Sequence, residues 1–131
     1  MNTSAPLASP PTPPLDDEYD RRFAGVGRVY GDAALQRFAE SHAVVVGLGG
    51  VGSWVVEALA RSAIGQLTLV DLDFIVASNV NRQLQATSEQ FGRGKADVLA
   101  ERARSINPRL HVRVVDDFLS RDNAQAILTP Q

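Results

Sequence analysis

The 131-residue chain contains no cysteine and only two histidines, His42 and His111. The lack of cysteine excludes disulfides, a thiolate metal site and a cysteine nucleophile, and two isolated histidines do not make a metal cluster. The chain also lacks a long apolar run and a basic, apolar amino terminus, so we expect neither a membrane span nor a secretory leader. These absences predict a cytoplasmic protein with no metal ligands of its own within these residues.

Lysine is almost absent as well, since Lys95 is the single lysine among 13 basic residues. The acidic residues are unevenly placed, because the first 20 positions carry four of them and no lysine or arginine. The rest of the chain therefore has a weak positive excess, which permits a polyanionic partner without arguing for one.

Prolines, small residues and acidic residues dominate positions 1–18. Such a segment cannot bury enough apolar surface to offset the entropy of ordering it. We therefore expect a disordered tail over 1–18 and one folded domain over 19–131, which is long enough to bury a core.

Apolar runs and helical spacing predict alternating helices and strands after the tail. In order, they are a short helix near 31–41, a strand at 43–46, a helix after the glycines of 47–52, a strand at 67–70, a helix at 95–106, a strand at 111–115 and a short helix from Asp122. This order is typical of an α/β fold with an open, Rossmann-like parallel sheet. Because such sheets usually contain about five strands or more, we interpret the three strands as the N-terminal half of a domain.

The helix that follows the glycines has an apolar stripe. Val51, Trp54 and Val55 recur at helical spacing, whereas Ser53 and Glu57 lie on the opposite side. We expect the stripe, including Trp54, to pack into the core and the polar side to face water.

A glycine-rich turn joins the 43–46 strand to that helix. Its glycines are Gly47, Gly49, Gly50 and Gly52. Glycine removes the Cβ that would block a phosphate, and the helix that follows offers free N–H groups. The turn predicts a phosphate site that would serve NAD, FAD or ATP.

Asp71 directly follows the 67–70 strand and lies 24 residues after Gly47. A Rossmann-like unit places at this point the carboxylate that binds a ribose hydroxyl. The alternative is that Asp71 only caps the loop after its strand.

Asn79, Arg82 and Lys95 lie in and after the next loop, near the carboxyl end of a strand. Ligands of open α/β sheets bind at that edge. Fixed cations there would stabilise the charge that builds on phosphates during adenylyl transfer, whereas the bridging pyrophosphate of NAD needs no such array. The pattern favours ATP, although solvated loop charges are the alternative interpretation of Arg82 and Lys95.

Four segments together resemble a known family: VVVGLGGVGSW, LTLVDLD, SNVNRQ and GRGKADVLAERARSINP. They are similar to the ubiquitin-activating-type (ThiF-like) adenylating superfamily, and the resemblance covers about residues 19–119. The segment YDRRFAGVGRVYGDAALQRF ahead of the sheet resembles the tRNA threonylcarbamoyladenosine dehydratase branch. Enzymes of that branch use ATP to activate the carboxylate of a modified tRNA adenosine, which then cyclises with loss of water.

The resemblance implies roles for individual residues. The four glycines would pack against the nucleotide phosphates, and Asp71 would bind the ribose. Asn79, Arg82 and Lys95 would contact the triphosphate, with Arg82 and Lys95 stabilising the adenylation transition state. Arg22 would act as a catalytic arginine that reaches into the site of a partner subunit, and Arg28 competes with it for this role.

The resemblance also implies cofactors and partners. ATP would bind with Mg²⁺ held through its phosphates, and the protein ligand of that ion is expected beyond residue 131. The expected substrate is tRNA, the expected assembly is a homodimer, and these 131 residues alone are expected not to catalyse adenylation. Two alternatives stay open: an enzyme that adenylates a ubiquitin-like sulfur carrier, and a nucleotide-binding module without catalysis.

Overall fold

The computed structural model describes residues 17–129. Five helices and three strands are present in this part of the chain. They are α1 (Asp17–Tyr30), α2 (Asp32–Glu40), β1 (His42–Val46), α3 (Gly52–Arg61), β2 (Gln66–Val70), α4 (Lys95–Ile106), β3 (His111–Val115) and α5 (Ala124–Leu128), with 3₁₀ turns at Ala77–Asn79 and Ser88–Gln90 between β2 and α4. Every predicted strand is found, and the predicted tail lies outside the described residues apart from 17 and 18, which begin α1.

The three strands form one parallel sheet in the order β1-β2-β3. Their register is level at the carboxyl edge, because Val46 pairs with Val70 and Val70 pairs with Val115. The loops that follow the three strands therefore start side by side. The open parallel α/β architecture predicted from the sequence is confirmed.

Helix α1 was not predicted from the sequence. Its segment contains Gly25 and Gly27, which lower helix propensity. Tertiary packing compensates, since the side chain of Phe23 is 2% exposed and its ring lies 4.9 Å from that of Tyr19.

The main core lies between one face of the sheet and helices α3 and α4. Val45, Leu67 and Leu69 point from the strands into it, where Val56 of α3 and Leu99 of α4 pack against them. The opposite face of the sheet has a smaller cluster in which Ile127 of α5 covers Val70 and Val115.

The expectation for the buried face of α3 was wrong. Trp54 is 53% exposed and Val51 78% exposed, whereas Ser53 and Glu57 are buried. Serine and alanine are small enough for close packing, so α3 buries Ser53, Val56 and Ala60 instead of its apolar stripe, and Val56 and Ala60 pack in the core with residues of α4. The stripe of α3 stays on the surface of the described residues.

Glu57 is the charged residue that this packing buries. Its carboxylate accepts hydrogen bonds from Arg102 Nε at 2.5 Å and Arg102 Nη2 at 3.1 Å, and from Arg61 Nε at 2.8 Å. Burial acts to raise the pKa of Glu57, but the hydrogen bonds and charges of Arg102 and Arg61 outweigh it and lower the pKa below the usual 4.5. The cluster joins α3 to α4 and stabilises the fold when Glu57 is ionised.

We expect Glu57→Gln to lower the free energy of unfolding by about 2 kcal/mol at pH 7, because a buried hydrogen-bonded charge is lost. Because the pKa of Glu57 is lower in the folded state than in the unfolded state, its ionised carboxylate stabilises the folded protein above pH 4.5. This stabilisation is lost as the pH falls through the folded-state pKa. Denaturant unfolding of both proteins should therefore give a difference that shrinks below pH 4.5. Glu101→Gln is the control, because its pair with Arg93 is exposed on both sides and should change stability little. A difference that does not depend on pH would contradict this role of Glu57.

Candidate functional site

The turn between β1 and α3 can only be made with glycine at two positions. Gly47 has φ +83°, a conformation that residues with a Cβ rarely adopt. At Gly52 a Cβ atom would lie 1.7 Å from the carbonyl oxygen of Gly47. The chain therefore folds back tightly at 47–52 and presents the N-terminus of α3 at the carboxyl edge of the sheet.

Asp71 stabilises this turn from the end of β2. Its Oδ2 accepts a hydrogen bond from the Leu48 N–H, and its Oδ1 accepts one from the Asp73 N–H, both at 2.7 Å. Asp71 does cap its own loop, as the alternative interpretation held. A carboxylate has about four lone-pair directions, so it can still accept a hydroxyl from a ligand.

Lys95 is the first residue of α4 and is 7% exposed. Its Nζ lies 3.7 Å from Asp73 Oδ2, and its backbone N–H donates to the Asp73 carbonyl oxygen at 3.0 Å. It is therefore not a solvated loop charge. The ammonium and the helix N-terminus are two sources of positive potential at one point, which makes it a candidate anion site.

One cleft of about 410 Å³ joins these features at the carboxyl edge of the sheet. The residues that line it come from the glycine turn, the ends of the strands and the start of α4: Val46, Gly47, Leu48, Gly49, Val70, Asp71, Asp73, Lys95, Phe118 and Leu119. Phe118 and Leu119 were missed in the sequence, although they follow β3 at the edge where ligands of such sheets bind.

Arg82 lies on the other side of the turn. The position of a Cβ on Gly50 would be 3.3 Å from Arg82 Cγ, so the aliphatic part of Arg82 rests on that glycine. Its Nη1 donates to the Ser78 carbonyl oxygen and to Asn81 Oδ1. Arg82, from the loop between β2 and α4, and Lys95, from the start of α4, thus lie near the same turn.

Asn79 has a structural role in the described chain. It is 7% exposed, and its Oδ1 accepts a hydrogen bond from the Val76 N–H at 3.0 Å. Its carbonyl oxygen accepts from the N–H groups of Arg82 and Gln83. Asn79 shapes the loop that carries Arg82, and direct contact of Asn79 with a triphosphate stays a prediction.

Arg22 lies at the opposite end of α4 from Lys95. Its Nη1 donates to the carbonyl oxygens of Ser105 and Ile106 at 2.9 Å each, and its Nη2 pairs with Glu18. Because a helix rises about 1.5 Å per residue, the length of α4 separates this guanidinium from the Lys95 end. Arg22 caps a helix within its own chain, and a contact with the site of a second subunit stays a prediction.

The described residues 17–129 contain no group of three His, Cys, Asp or Glu side chains that could hold a metal ion. The same residues contain no helix that is both long enough and apolar enough to span a bilayer.

A tight glycine turn, an aspartate after the second strand and a buried lysine at one edge of a parallel sheet are arranged as in α/β proteins of the nucleotide-binding class. Residues 19–131 match the model of the ThiF family, and the chain belongs to that family. This confirms the resemblance seen in the sequence.

Two curated relatives with different activities differ in their sequence identity to this chain. The chain is 52% identical over 109 residues to tRNA threonylcarbamoyladenosine dehydratase of Escherichia coli, a match that covers 83% of this chain and 41% of that protein. It is 34% identical over 100 residues to the sulfur carrier protein adenylyltransferase of Thermus thermophilus, covering 76% and 37%. The chain therefore spans about two fifths of the length of these relatives.

Solved structures give the same result. The structure of the Escherichia coli dehydratase in complex with ATP matches with a TM-score of 0.86 and 49% identity, over 89% of this chain and 48% of that one. The complex of that enzyme with AMP matches with a TM-score of 0.83 and 50% identity, over 87% and 46%.

Proposed function

We propose that this chain binds ATP in the cleft beside the glycine turn and serves in the adenylation of a carboxylate. The observation that supports the proposal is the placement of Lys95 and Arg82 around one glycine turn, with Asp71 at the end of β2, where a ribose-binding carboxylate is expected in such folds. The ATP and AMP complexes of the Escherichia coli dehydratase support it, because the described chain shares their fold.

The chemistry needs positioning and charge more than a general base. An oxygen of the substrate carboxylate attacks the α-phosphorus of ATP, the bond from that phosphorus to the bridging oxygen breaks, and pyrophosphate leaves. Negative charge grows on the departing phosphates, where the ammonium of Lys95 and the guanidinium of Arg82 stabilise it. The N-terminus of α3 adds free N–H groups. The product is a mixed anhydride with AMP as a good leaving group, and no cysteine is needed for this step.

The proposed substrate is threonylcarbamoyladenosine in tRNA, whose activated carboxyl group cyclises and releases AMP. The higher identity to the dehydratase than to the sulfur carrier adenylyltransferase supports this choice. The second candidate is the C-terminus of a ubiquitin-like sulfur carrier. ATP–pyrophosphate exchange separates the two when it is measured with threonylcarbamoylated tRNA and with such a carrier, because only the true substrate stimulates exchange. The assay uses a protein that carries these residues at the full length of the dehydratase relatives, because these 131 residues alone are not expected to catalyse adenylation. The proposal places this reaction in the cytoplasm.

The proposal includes a homodimer, with Arg22 at the neighbouring site. For Arg22 to act there, it would have to leave the carbonyl groups at the end of α4. Magnesium would be held through the ATP phosphates, and no step is assigned to it because the described residues offer no ligand cluster of their own.

We expect the protein to bind ATP more tightly than NAD, because Arg82 and Lys95 suit terminal phosphates that NAD lacks. Isothermal titration calorimetry with each nucleotide in the presence of magnesium measures the difference. AMP is the control for the phosphate contribution, since it keeps the adenosine and loses the two terminal phosphates. Tighter binding of NAD than of ATP would overturn the adenylation proposal in favour of a dehydrogenase.

A further inference from the structure

The loop that carries Arg82 is attached to the glycine turn at several points. The Leu84 N–H donates to Ser53 Oγ at 3.3 Å, and Gln85 Nε2 donates to the Leu48 carbonyl oxygen at 2.8 Å. Both contacts join residues that follow Arg82 to the turn or to the first turn of α3. They fix the path of the loop but do not hold Arg82 itself.

Trp54 of α3 contacts the backbone of Arg82. Its indole Nε1 donates a hydrogen bond to the Arg82 carbonyl oxygen at 2.9 Å. Trp54 is the third residue of α3, and side chains in a helix lean toward its N-terminus. The indole is thereby directed at the loop, although 53% of the residue is exposed.

The backbone of Arg82 and its side chain are held from two sides. The indole fixes the carbonyl group, and Gly50 supports the aliphatic stem at 3.3 to 3.7 Å from where a Cβ would lie. The guanidinium donates to the Ser78 carbonyl oxygen and to Asn81 Oδ1 of the same loop through Nη1, and it would have to share or exchange these bonds to meet a phosphate. A flexible arginine loses less conformational entropy on binding a phosphate when its backbone and stem are already fixed.

We propose that Trp54 is a positioning residue, which holds Arg82 over the glycine turn so that its guanidinium meets the terminal phosphates of ATP. The inference rests on the proposed function for its ligand. The Trp54 contact with the Arg82 backbone can be tested without any ligand.

Limited proteolysis tests the contact directly. Trypsin attacks the Arg82 carbonyl carbon, and that carbonyl is the group that Trp54 holds. Trp54→Phe keeps an aromatic ring but removes the N–H, and we expect cleavage after Arg82 to accelerate about three- to tenfold, the range for one hydrogen bond. Cleavage after the exposed Arg121 is the internal control and should not change. Val55→Ala, a change at a neighbouring exposed residue of the same stripe, should leave both rates unchanged.

Nucleotide affinity tests the consequence for Arg82. Trp54→Phe should weaken ATP about three- to tenfold and leave AMP binding unchanged, because only the terminal phosphates meet Arg82. In the Arg82→Ala background the carbonyl remains but the guanidinium is gone, so Trp54→Phe should have no further effect on ATP. A role of Trp54 in general stability would instead weaken both nucleotides in both backgrounds.

The proteolysis and affinity measurements test the positioning role of Trp54 and the proposed binding of ATP separately. Equal acceleration at Arg82 and Arg121, no acceleration at Arg82, or an equal loss of ATP affinity in both backgrounds would overturn the positioning role. Lack of ATP binding by the unaltered protein would overturn the proposed function and the phosphate role together. The proteolysis result would then still show whether the indole holds the loop.

Discussion

Gly52→Ala is expected to destabilise the protein by at least about 3 kcal/mol and to abolish nucleotide binding. The added Cβ would lie 1.7 Å from the Gly47 carbonyl oxygen, and backbone on both sides would have to move to relieve the overlap. That movement opens the turn and displaces the N-terminus of α3 from the cleft. Chemical denaturation and calorimetry with ATP measure the two effects.

Gly49→Ala is the matched control within the same turn. Its Cβ would meet only Gln83 Nε2, at an ordinary 3.7 Å, so the fold should be retained. Because Gly49 lines the cleft, the methyl group should still obstruct the approach of a phosphate and weaken ATP. If Gly52→Ala folded as stably as Gly49→Ala, the tight turn described for 47–52 would be wrong.

Lys95→Ala is expected to weaken ATP on the order of 10- to 100-fold, which is the range for losing one hydrogen bond to a charged group. The protein should stay folded, because the partner left behind, Asp73, has a side chain that is 59% exposed and can be solvated. Calorimetry with ATP and AMP measures the loss, and ATP should lose more than AMP. Chemical acetylation gives a second measurement, since Lys95 is the only lysine and ATP should protect it.

Asp73→Asn distinguishes the effect of losing the Lys95 ammonium from the effect of losing its ion pair with Asp73. This change also breaks the contact between Asp73 and Lys95, but it keeps the ammonium and removes a negative charge from the cleft wall. ATP should therefore bind with equal or higher affinity, which is opposite to the expected result for Lys95→Ala. If both variants weakened ATP equally, the ion pair would matter and the direct phosphate contact of Lys95 would be excluded.

The sheet was predictable because its signals are local. The runs at 43–46, 67–70 and 111–115 are apolar and short, and they correspond to β1, β2 and β3. The glycine turn was predictable for the same reason, since only glycine tolerates the φ of Gly47 or the approach at Gly52. Local sequence signals therefore predicted the edge of the sheet at which the cleft lies, although not all of its lining.

The orientation of α3 could not be predicted, because it depends on contacts between residues that lie far apart in the sequence. The stripe with Val51 and Trp54 has the spacing of a buried face, yet the pairing of Glu57 with Arg102 of α4 and the small Ser53 favour the other side. Partners that lie 45 residues apart in the sequence are not recognisable from helical spacing. The bond between Trp54 and the Arg82 carbonyl was missed for the same reason.

Side-chain roles in the loop were only partly predictable. The burial of Lys95 depends on the start of α4 lying against the loop after β2, which is a tertiary feature. Asn79 was predicted to contact a triphosphate, which stays a prediction, and its structural role was missed: its amide oxygen accepts a hydrogen bond from the Val76 N–H at the start of a 3₁₀ turn. An asparagine that shapes a loop and one that binds a ligand look alike in a sequence.

The level register of the three strands has a consequence for how such a protein can diversify. Because β1, β2 and β3 end at the same height, the glycine turn, which Asp71 stabilises, and the segment with Phe118 and Leu119 start from separate strands and line the same cleft. Substitutions after β3 can change what is recognised there without passing strain to the glycine turn. Natural variation or laboratory evolution at 116–119 is therefore expected to change the cleft at that end while the glycine turn stays as it is.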